Sequence, residues 1–186
     1  MKKLSLRTRV LTGAVAAAVL SAGTFGAMSA NASAPAAAPT AATGKADTAD
    51  RNLRQSTHLT VAAATKAAQA ALDAAEKDGQ RVSVAVVDRD GNTVVALRGD
   101  GAGPQSPGSA ERKAYTAVSW NAPTSELAGR LAKAPNLKDI PGTLFLAGGT
   151  PVQAKGAPVA GVGVAGAPSG DLDEKYAAAG AAAVGR

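Results

Sequence analysis

The stretch "PVAGVGVAGAPSGDLDEKYAAAG", residues 158–180, decides between two folds, because Gly161, Gly163 and Gly166 have the G-x-G-x-x-G spacing of a dinucleotide-binding loop. Such a loop needs a strand before it, a helix directly after it and a further parallel strand. Here the glycines lie within an apolar strand pattern, and the helix pattern that follows them is the last of the chain. The stretch therefore predicts a C-terminal strand and helix rather than a nucleotide site.

Glycine inside a strand allows another group to approach the backbone closely. Gly161 and Gly163 share one face, since side chains alternate along a strand. That bare face is compatible with an alanine-rich helix, a neighbouring subunit or a flat ligand, and composition does not choose among them. For the helix that follows, Asp171 and Glu174 resemble a capping box, so we expect it to begin at Asp171.

The remaining elements also predict an α+β domain. An alanine-rich helix over 59–80, with Thr60 as its N-cap, precedes a valine-rich hairpin over 81–99 that turns at Asp90-Gly91. A glycine-rich loop and a helix follow over 99–121, then a short helix after Thr124 and a run of strands over 143–166. We expect a single domain with a mainly antiparallel sheet of about five strands and helices packed on it.

The hairpin turn also contains Asp88-x-Asp90-x-Asn92, which resembles the start of a calcium-binding loop. Such a loop has glycine at its sixth position and a glutamate at its twelfth. Here the glycine is at the fourth position and no such glutamate follows, so a hairpin is favoured over a calcium site.

The first 32 residues have the features of a secretory signal: basic residues, an apolar stretch, then Ala30-Asn31-Ala32. A membrane anchor is the alternative, but this stretch is mostly Ala, Gly and Ser and only weakly apolar. We expect 1–32 to be a signal peptide, 33–57 a disordered Ala/Pro/Thr-rich linker, and 58–186 the folded domain. The protein would then be secreted, extracellular or cell-wall associated.

Composition excludes several function classes. The formal net charge is +6, and four of the positive charges lie in the signal, so the remaining chain carries only +2 and no nucleic-acid partner is expected. The chain has no cysteine and one histidine, and its two methionines lie in the signal. Iron–sulfur clusters and zinc sites built from several Cys or His are therefore excluded.

A set of motifs between residues 86 and 166 resembles the GlcG/HbpS-like family of haem-degrading or haem-binding domains. The resemblance covers about residues 59–184, and the motifs are specific together rather than singly. They are Val86-Val87-Asp88, Asp100-Gly101-Ala102, Lys113-Ala114-Tyr115-Thr116-Ala117, Gly148-Gly149-Thr150-Pro151 and Gly163-Val164-Ala165-Gly166.

Similarity to the exported members of this family implies an octamer that binds haem and iron outside the cell. It also implies a partner, the ectodomain of a membrane sensor kinase, in two-component signalling under haem or redox stress. The alternative is a small-metabolite-binding or haem-degrading enzyme. No catalytic residue can be assigned, because a single histidine does not support a Ser-His-Asp set.

Haem iron takes His, Cys, Met or Tyr ligands, so the axial ligand would be His58, Tyr115 or Tyr176, or a weaker oxygen donor such as Thr116. Arg112 and Lys113 could pair with haem propionates. Core packing, backbone hydrogen bonding or simple solvation remain alternative roles for His58, Tyr115, Thr116, Arg112 and Lys113.

Asp73 and Glu76 are a second candidate site, for iron itself. They are three residues apart on the predicted first helix, so both carboxylates share one face. Hard oxygen ligands suit iron(III). The alternative is a solvated acidic face in which Asp73 pairs with Lys77.

Overall fold

The structure, a computed structural model, describes residues 47–185. The predicted signal peptide and residues 33–46 of the predicted linker lie outside this part. Within residues 47–185, no helix is both long enough and apolar enough to cross a membrane.

Four helices and four strands make up the domain. In chain order they are α1 (Val61–Lys77), β1 (Ser83–Asp88), β2 (Thr93–Arg98), α2 (Ser106–Trp120), α3 (Thr124–Arg130), β3 (Gly149–Ala154), β4 (Ala157–Ala165) and α4 (Gly170–Val184), with short 3-10 helices at Asp50–Asn52 and Pro135–Asp139.

The strands form one antiparallel sheet in the order β2-β1-β4-β3, which confirms the predicted α+β domain. The predicted count of about five strands is wrong, because residues 143–148 are not a strand. Two of their backbone N–H groups donate to side chains rather than to a neighbouring strand: Leu144 N donates to Thr116 Oγ1 at 2.8 Å, and Gly148 N donates to Glu174 Oε2 at 3.1 Å.

Helices cover both faces of the sheet. Helix α2 packs on one face, mainly against β4 and β1, while α1 and α4 pack together on the other. The core beneath α1 and α4 consists mostly of alanine and valine, with Tyr176 as its largest fully buried side chain. Small side chains let these helices lie close to the sheet.

The bare face of β4 seats helix α2. A Cβ added at Gly163 would overlap the Ala110 carbonyl oxygen and lie 2.5 Å from Ala114 N, and one added at Gly161 would lie 3.1 Å from Val118 N. Of the three occupants left open by the sequence, the structure shows the alanine-rich helix.

The N-cap predicted for α1 is confirmed, whereas the N-cap predicted for α4 is wrong. Thr60 caps α1, its hydroxyl accepting a hydrogen bond from Ala63 N at 3.2 Å. The expected start of α4 at Asp171 is wrong, because Ser169 is the N-cap and its hydroxyl accepts from Leu172 N. Glu174 is therefore not part of a capping box. Its carboxylate instead accepts hydrogen bonds from Ser125 N and the Ser125 hydroxyl, at the start of α3.

Candidate functional site

The side chain of Tyr115 forms one wall of a surface groove beside helix α2. Its ring stands between two glycines: a Cβ at Gly91 would lie 2.9 Å from Tyr115 Cε2, and one at Gly142 would lie 3.6 Å from Cε1. The absence of side chains at both positions makes room for the ring. The groove has a volume of about 280 Å³ and is also lined by Val87, Thr93, Glu111 and Arg112.

The phenol oxygen of Tyr115 is available to a ligand. Among the side-chain hydrogen bonds of residues 47–185 none involves this hydroxyl, and it is not one of their buried unsatisfied atoms. Arg112 lies one helical turn before Tyr115 and is exposed. Its Nε donates to Gly108 O at 3.3 Å, which leaves the two terminal nitrogens of the guanidinium for an anion.

Thr116 faces away from the groove and is fully buried. Its hydroxyl donates to Arg112 O at 2.7 Å and accepts from Leu144 N at 2.8 Å. Two of its three hydrogen-bonding positions are thus used, and the observed role of Thr116 is to hold residues 143–148 against α2.

The ammonium group of Lys113 is also buried, in an ion pair. Lys113 Nζ lies 2.7 Å from Asp173 Oδ2 and donates to Val164 O at 3.1 Å, while Asp173 Oδ1 accepts from Ala167 N at 3.0 Å. Burial raises the pKa of Asp173, although the hydrogen bond from Lys113 opposes this effect. The structure thus places Lys113 in a link between α2 and α4 rather than on the groove surface.

His58 lies beside the turn between β1 and β2, residues 88–92. Its Nδ1 is 4.0 Å from Asp88 Oδ2, and its Nε2 is 3.4 Å from Asp90 Oδ2. Tyr115 approaches Gly91 of the same turn. The turn therefore brings two of the sequence-predicted ligands, His58 and Tyr115, into one region of the surface, although separate residues of the turn contact them.

Asp73 and Glu76 are both exposed on α1. Asp73 Oδ1 accepts a hydrogen bond from Gln69 Nε2 at 2.7 Å. The alternative pair of Asp73 with Lys77 is absent from the salt bridges of the described residues. One oxygen of Asp73 and the Glu76 carboxylate thus remain available to a cation.

The sequence reasoning missed two parts of the groove, Glu111 and Gly142. Glu111 is four residues before Tyr115 on the same helix, so helical spacing alone would have placed it there. Gly142 follows a proline in a loop. It is 27 positions after Tyr115, and no local sequence pattern relates the two residues.

The fold and the groove define a class of protein: an α+β domain that offers a tyrosine oxygen and an arginine at an open surface site. The family profile described as "Haem degrading protein HbpS-like" matches residues 59–182. The chain belongs to this HbpS-like family.

Solved structures agree with this assignment. A crystal structure of HbpS is 78% identical, with a TM-score of 0.75, and the match covers 76% of this chain and 100% of that one. A Streptomyces reticuli HbpS double mutant, in which two glutamates three positions apart are replaced by aspartate, is 77% identical, with a TM-score of 0.72 and coverage of 82% and 100%. A PduOC–haem complex is 25% identical, with a TM-score of 0.62 and coverage of 68% and 95%. No match was found among curated proteins.

Proposed function

We propose that this protein binds haem at the Tyr115 groove, with the phenolate oxygen of Tyr115 as axial ligand. The observation that carries the proposal is the position of the Tyr115 ring between Gly91 and Gly142, with its hydroxyl unbonded by any other residue in the described range 47–185. Tyrosine is an established ligand of haem iron. The similar PduOC structure is a haem complex, and the family description names haem, which supports this choice of ligand.

The residues of the groove fit one face and one edge of a haem. Arg112 provides a charged donor for a propionate carboxylate one helical turn from Tyr115. The groove volume of about 280 Å³ is just below the range of roughly 300–1,000 Å³ of pockets that enclose drug-sized ligands, so it covers only part of a macrocycle. Bound haem would supply redox chemistry, while this chain would hold the iron, orient the propionate and leave the other face open.

A hemin titration tests the site. We expect a saturable Soret shift with a stoichiometry of at least one haem per chain. The Tyr115→Phe variant, which lacks only the ligand oxygen, should bind hemin at least tenfold more weakly. Tyr176→Phe is the matched control, because Tyr176 is the other tyrosine of the chain and its ring points from α4 into the core. Arg112→Gln should weaken binding without changing the position of the Soret band.

Two results would contradict this assignment. Equal affinity and an identical spectrum in Tyr115→Phe and the unchanged protein would exclude the phenolate as ligand. Loss of the Soret shift in His58→Gln but not in Tyr115→Phe would move the axial bond to His58, whose nitrogens face Asp88 and Asp90 in this structure.

Iron binding at Asp73 and Glu76 is a second part of the proposal. Their exposed carboxylates, three residues apart on α1, offer oxygen ligands to iron(III). The two glutamates replaced in the Streptomyces reticuli double mutant have the same spacing. The double variant Asp73→Asn, Glu76→Gln should lose one equivalent of bound iron, and Asp139→Asn, an exposed aspartate elsewhere, should not. Equal stoichiometry in all three proteins would refute the site.

The signal-like segment at 1–32 and the family membership support an exported protein that assists the ectodomain of a membrane sensor kinase. The similar HbpS structures support a homo-oligomer, and the family resemblance implies an octamer. Detection of processed chain in culture medium, and its mass by light scattering, test these two points. A chain retained in the cytoplasm would exclude the extracellular role, and a monomer would exclude the octamer.

Haem degradation is a second candidate activity, favoured by the description of the family as haem-degrading. If the protein degrades haem, the Soret band of the complex should decay under a reductant and oxygen faster than that of free hemin. Equal decay rates would indicate that the protein binds haem without degrading it.

A further inference from the structure

The turn between β1 and β2 presents a carboxylate in a fixed orientation. Asp88 Oδ1 accepts hydrogen bonds from Asp90 N at 2.9 Å and from Asn92 N at 2.8 Å. Burial raises the pKa of Asp88, but the hydrogen bonds donated by Asn92 and Asp90 outweigh it, so the pKa is lower than usual and the group is ionised at neutral pH. Asp88 Oδ2 accepts a hydrogen bond from Asn92 Nδ2 at 3.2 Å and lies 4.0 Å from His58 Nδ1.

A histidine nitrogen and two carboxylate oxygens meet at this turn. One ligand atom each from His58, Asp88 and Asp90 lies within 4.8 Å of the others. In a tetrahedral zinc site with bonds of about 2.1 Å, ligand atoms lie roughly 3.4 Å apart. The observed 3.4 Å between His58 Nε2 and Asp90 Oδ2 matches that spacing. Asp88 Oδ2 lies 4.0 Å from the other ring nitrogen, Nδ1, so the imidazole must rotate for one nitrogen to share an ion with both carboxylates. That ion would also replace the 2.6 Å contact between His58 Nε2 and Ser56 Oγ.

The donor set selects the kind of ion. Calcium and magnesium prefer oxygen ligands throughout, whereas an imidazole with carboxylates suits a borderline divalent ion such as Zn²⁺. Three protein ligands leave at least one position for water or an anion. A cleft of about 520 Å³ beside Asp90 is lined by Arg54 and Arg89, whose charges favour an anionic ligand in that position.

We propose that His58, Asp88 and Asp90 form a binding site for a divalent transition-metal ion of the Zn²⁺ type. The site differs from the calcium loop that the sequence spacing resembled, because its third ligand is an imidazole from outside the hairpin. It is also separate from Asp73 and Glu76, which lie on α1.

The single histidine of the chain makes this proposal directly testable. The full chain, without haem and without an affinity tag, is titrated with ZnCl₂ by calorimetry, and the imidazole Cε1–H resonance is followed by NMR. We expect one equivalent of Zn²⁺ to shift that unique resonance, because the ion binds a nitrogen of the same ring.

Variants assign the ligands. His58→Gln and Asp90→Asn should each weaken the binding of this equivalent at least tenfold, while Asp139→Asn should leave it unchanged. All three of these side chains are exposed, so circular dichroism should show the same fold in each variant. An unshifted histidine resonance at excess Zn²⁺, or equal affinity in His58→Gln and the unchanged protein, would overturn the site. Either result would be independent of haem binding, which is measured separately.

Discussion

Replacing Gly163 by alanine should destabilise the domain more than an ordinary substitution of one methyl group. The added Cβ would overlap the Ala110 carbonyl oxygen and lie 2.5 Å from Ala114 N, whereas ordinary contact begins at 3.4 Å. Both atoms belong to the backbone of α2, so no side chain can rotate away. Helix α2 must therefore move from the sheet by about 1 Å.

The expected loss follows from that movement. A gap of 0.5–1 Å forfeits roughly a quarter to a half of the dispersion energy of each contact across it. The movement would also strain the hydrogen bond between Leu144 and Thr116 and the ion pair between Lys113 and Asp173. Overpacking commonly costs about 1–3 kcal/mol, and a clash with backbone belongs at or above the upper end, so we expect at least about 3 kcal/mol.

Urea unfolding followed by the fluorescence of Trp120, the single tryptophan of the chain, measures this loss. Gly108→Ala is the matched control, because Gly108 lies on the same helix with nothing within 4 Å of an added Cβ. It should stabilise the protein by up to about 1 kcal/mol through helix propensity. If Gly163→Ala changed the free energy of unfolding by less than about 0.5 kcal/mol, the close contact between α2 and β4 would be wrong.

Three further changes test other contacts. Lys155 has a φ of 51° in the β3–β4 turn, so Lys155→Asn should raise the free energy of unfolding in urea by about 0.5–1 kcal/mol; a decrease would contradict the left-handed conformation. Lys113→Met should lower it by about 3–5 kcal/mol because Asp173 stays buried without its partner, and adding Asp173→Leu should recover part of the loss; simple additivity would argue against a coupled pair. Hydrogen bonds from Lys175 and Tyr176 lower the pKa of Asp78, so its ionised form stabilises the fold above about pH 3.8 and this contribution is lost as the pH falls through the lowered value. Unfolding measured from pH 2 to 7 should show Asp78→Asn converging with the unchanged protein at the acid end, and a constant difference would refute that linkage.

Local pattern was enough to predict much of the fold. Alternating valines predicted β1, the Asp90-Gly91 turn predicted its hairpin with β2, and the alanine-rich run after Thr60 predicted α1. These signals are local, because the helix and strand periods repeat within a few residues. Residues 143–148 were mistaken for a strand, since their hydrogen-bond partners Thr116 and Glu174 lie far away in the sequence. The start of α4 was misplaced for a related reason: Ser169 and Asp171 are both good caps, and only geometry distinguishes them.

The candidate site, like the fold, could be predicted from the sequence only in part. The sequence indicated both Arg112 and Tyr115 as haem-binding candidates, and both line the groove. It did not reveal that Lys113 and Thr116, on the same helix, turn inward to partners on α4 and in a loop. Nor did it show His58 beside Asp88 and Asp90, because that meeting depends on how the segment before α1 passes the hairpin.

The ion pair of Lys113 with Asp173 has a consequence for the alignment of the helices. The surfaces that α1 and α4 bury are mostly alanine and glycine with few protrusions, so apart from the Tyr176 ring little in the apolar packing fixes α4 along its axis. A slide of one turn, about 5.4 Å, would separate the two charges and leave both in an apolar interior. The ion pair therefore adds a second constraint, beside the Tyr176 ring, on the axial position of α4.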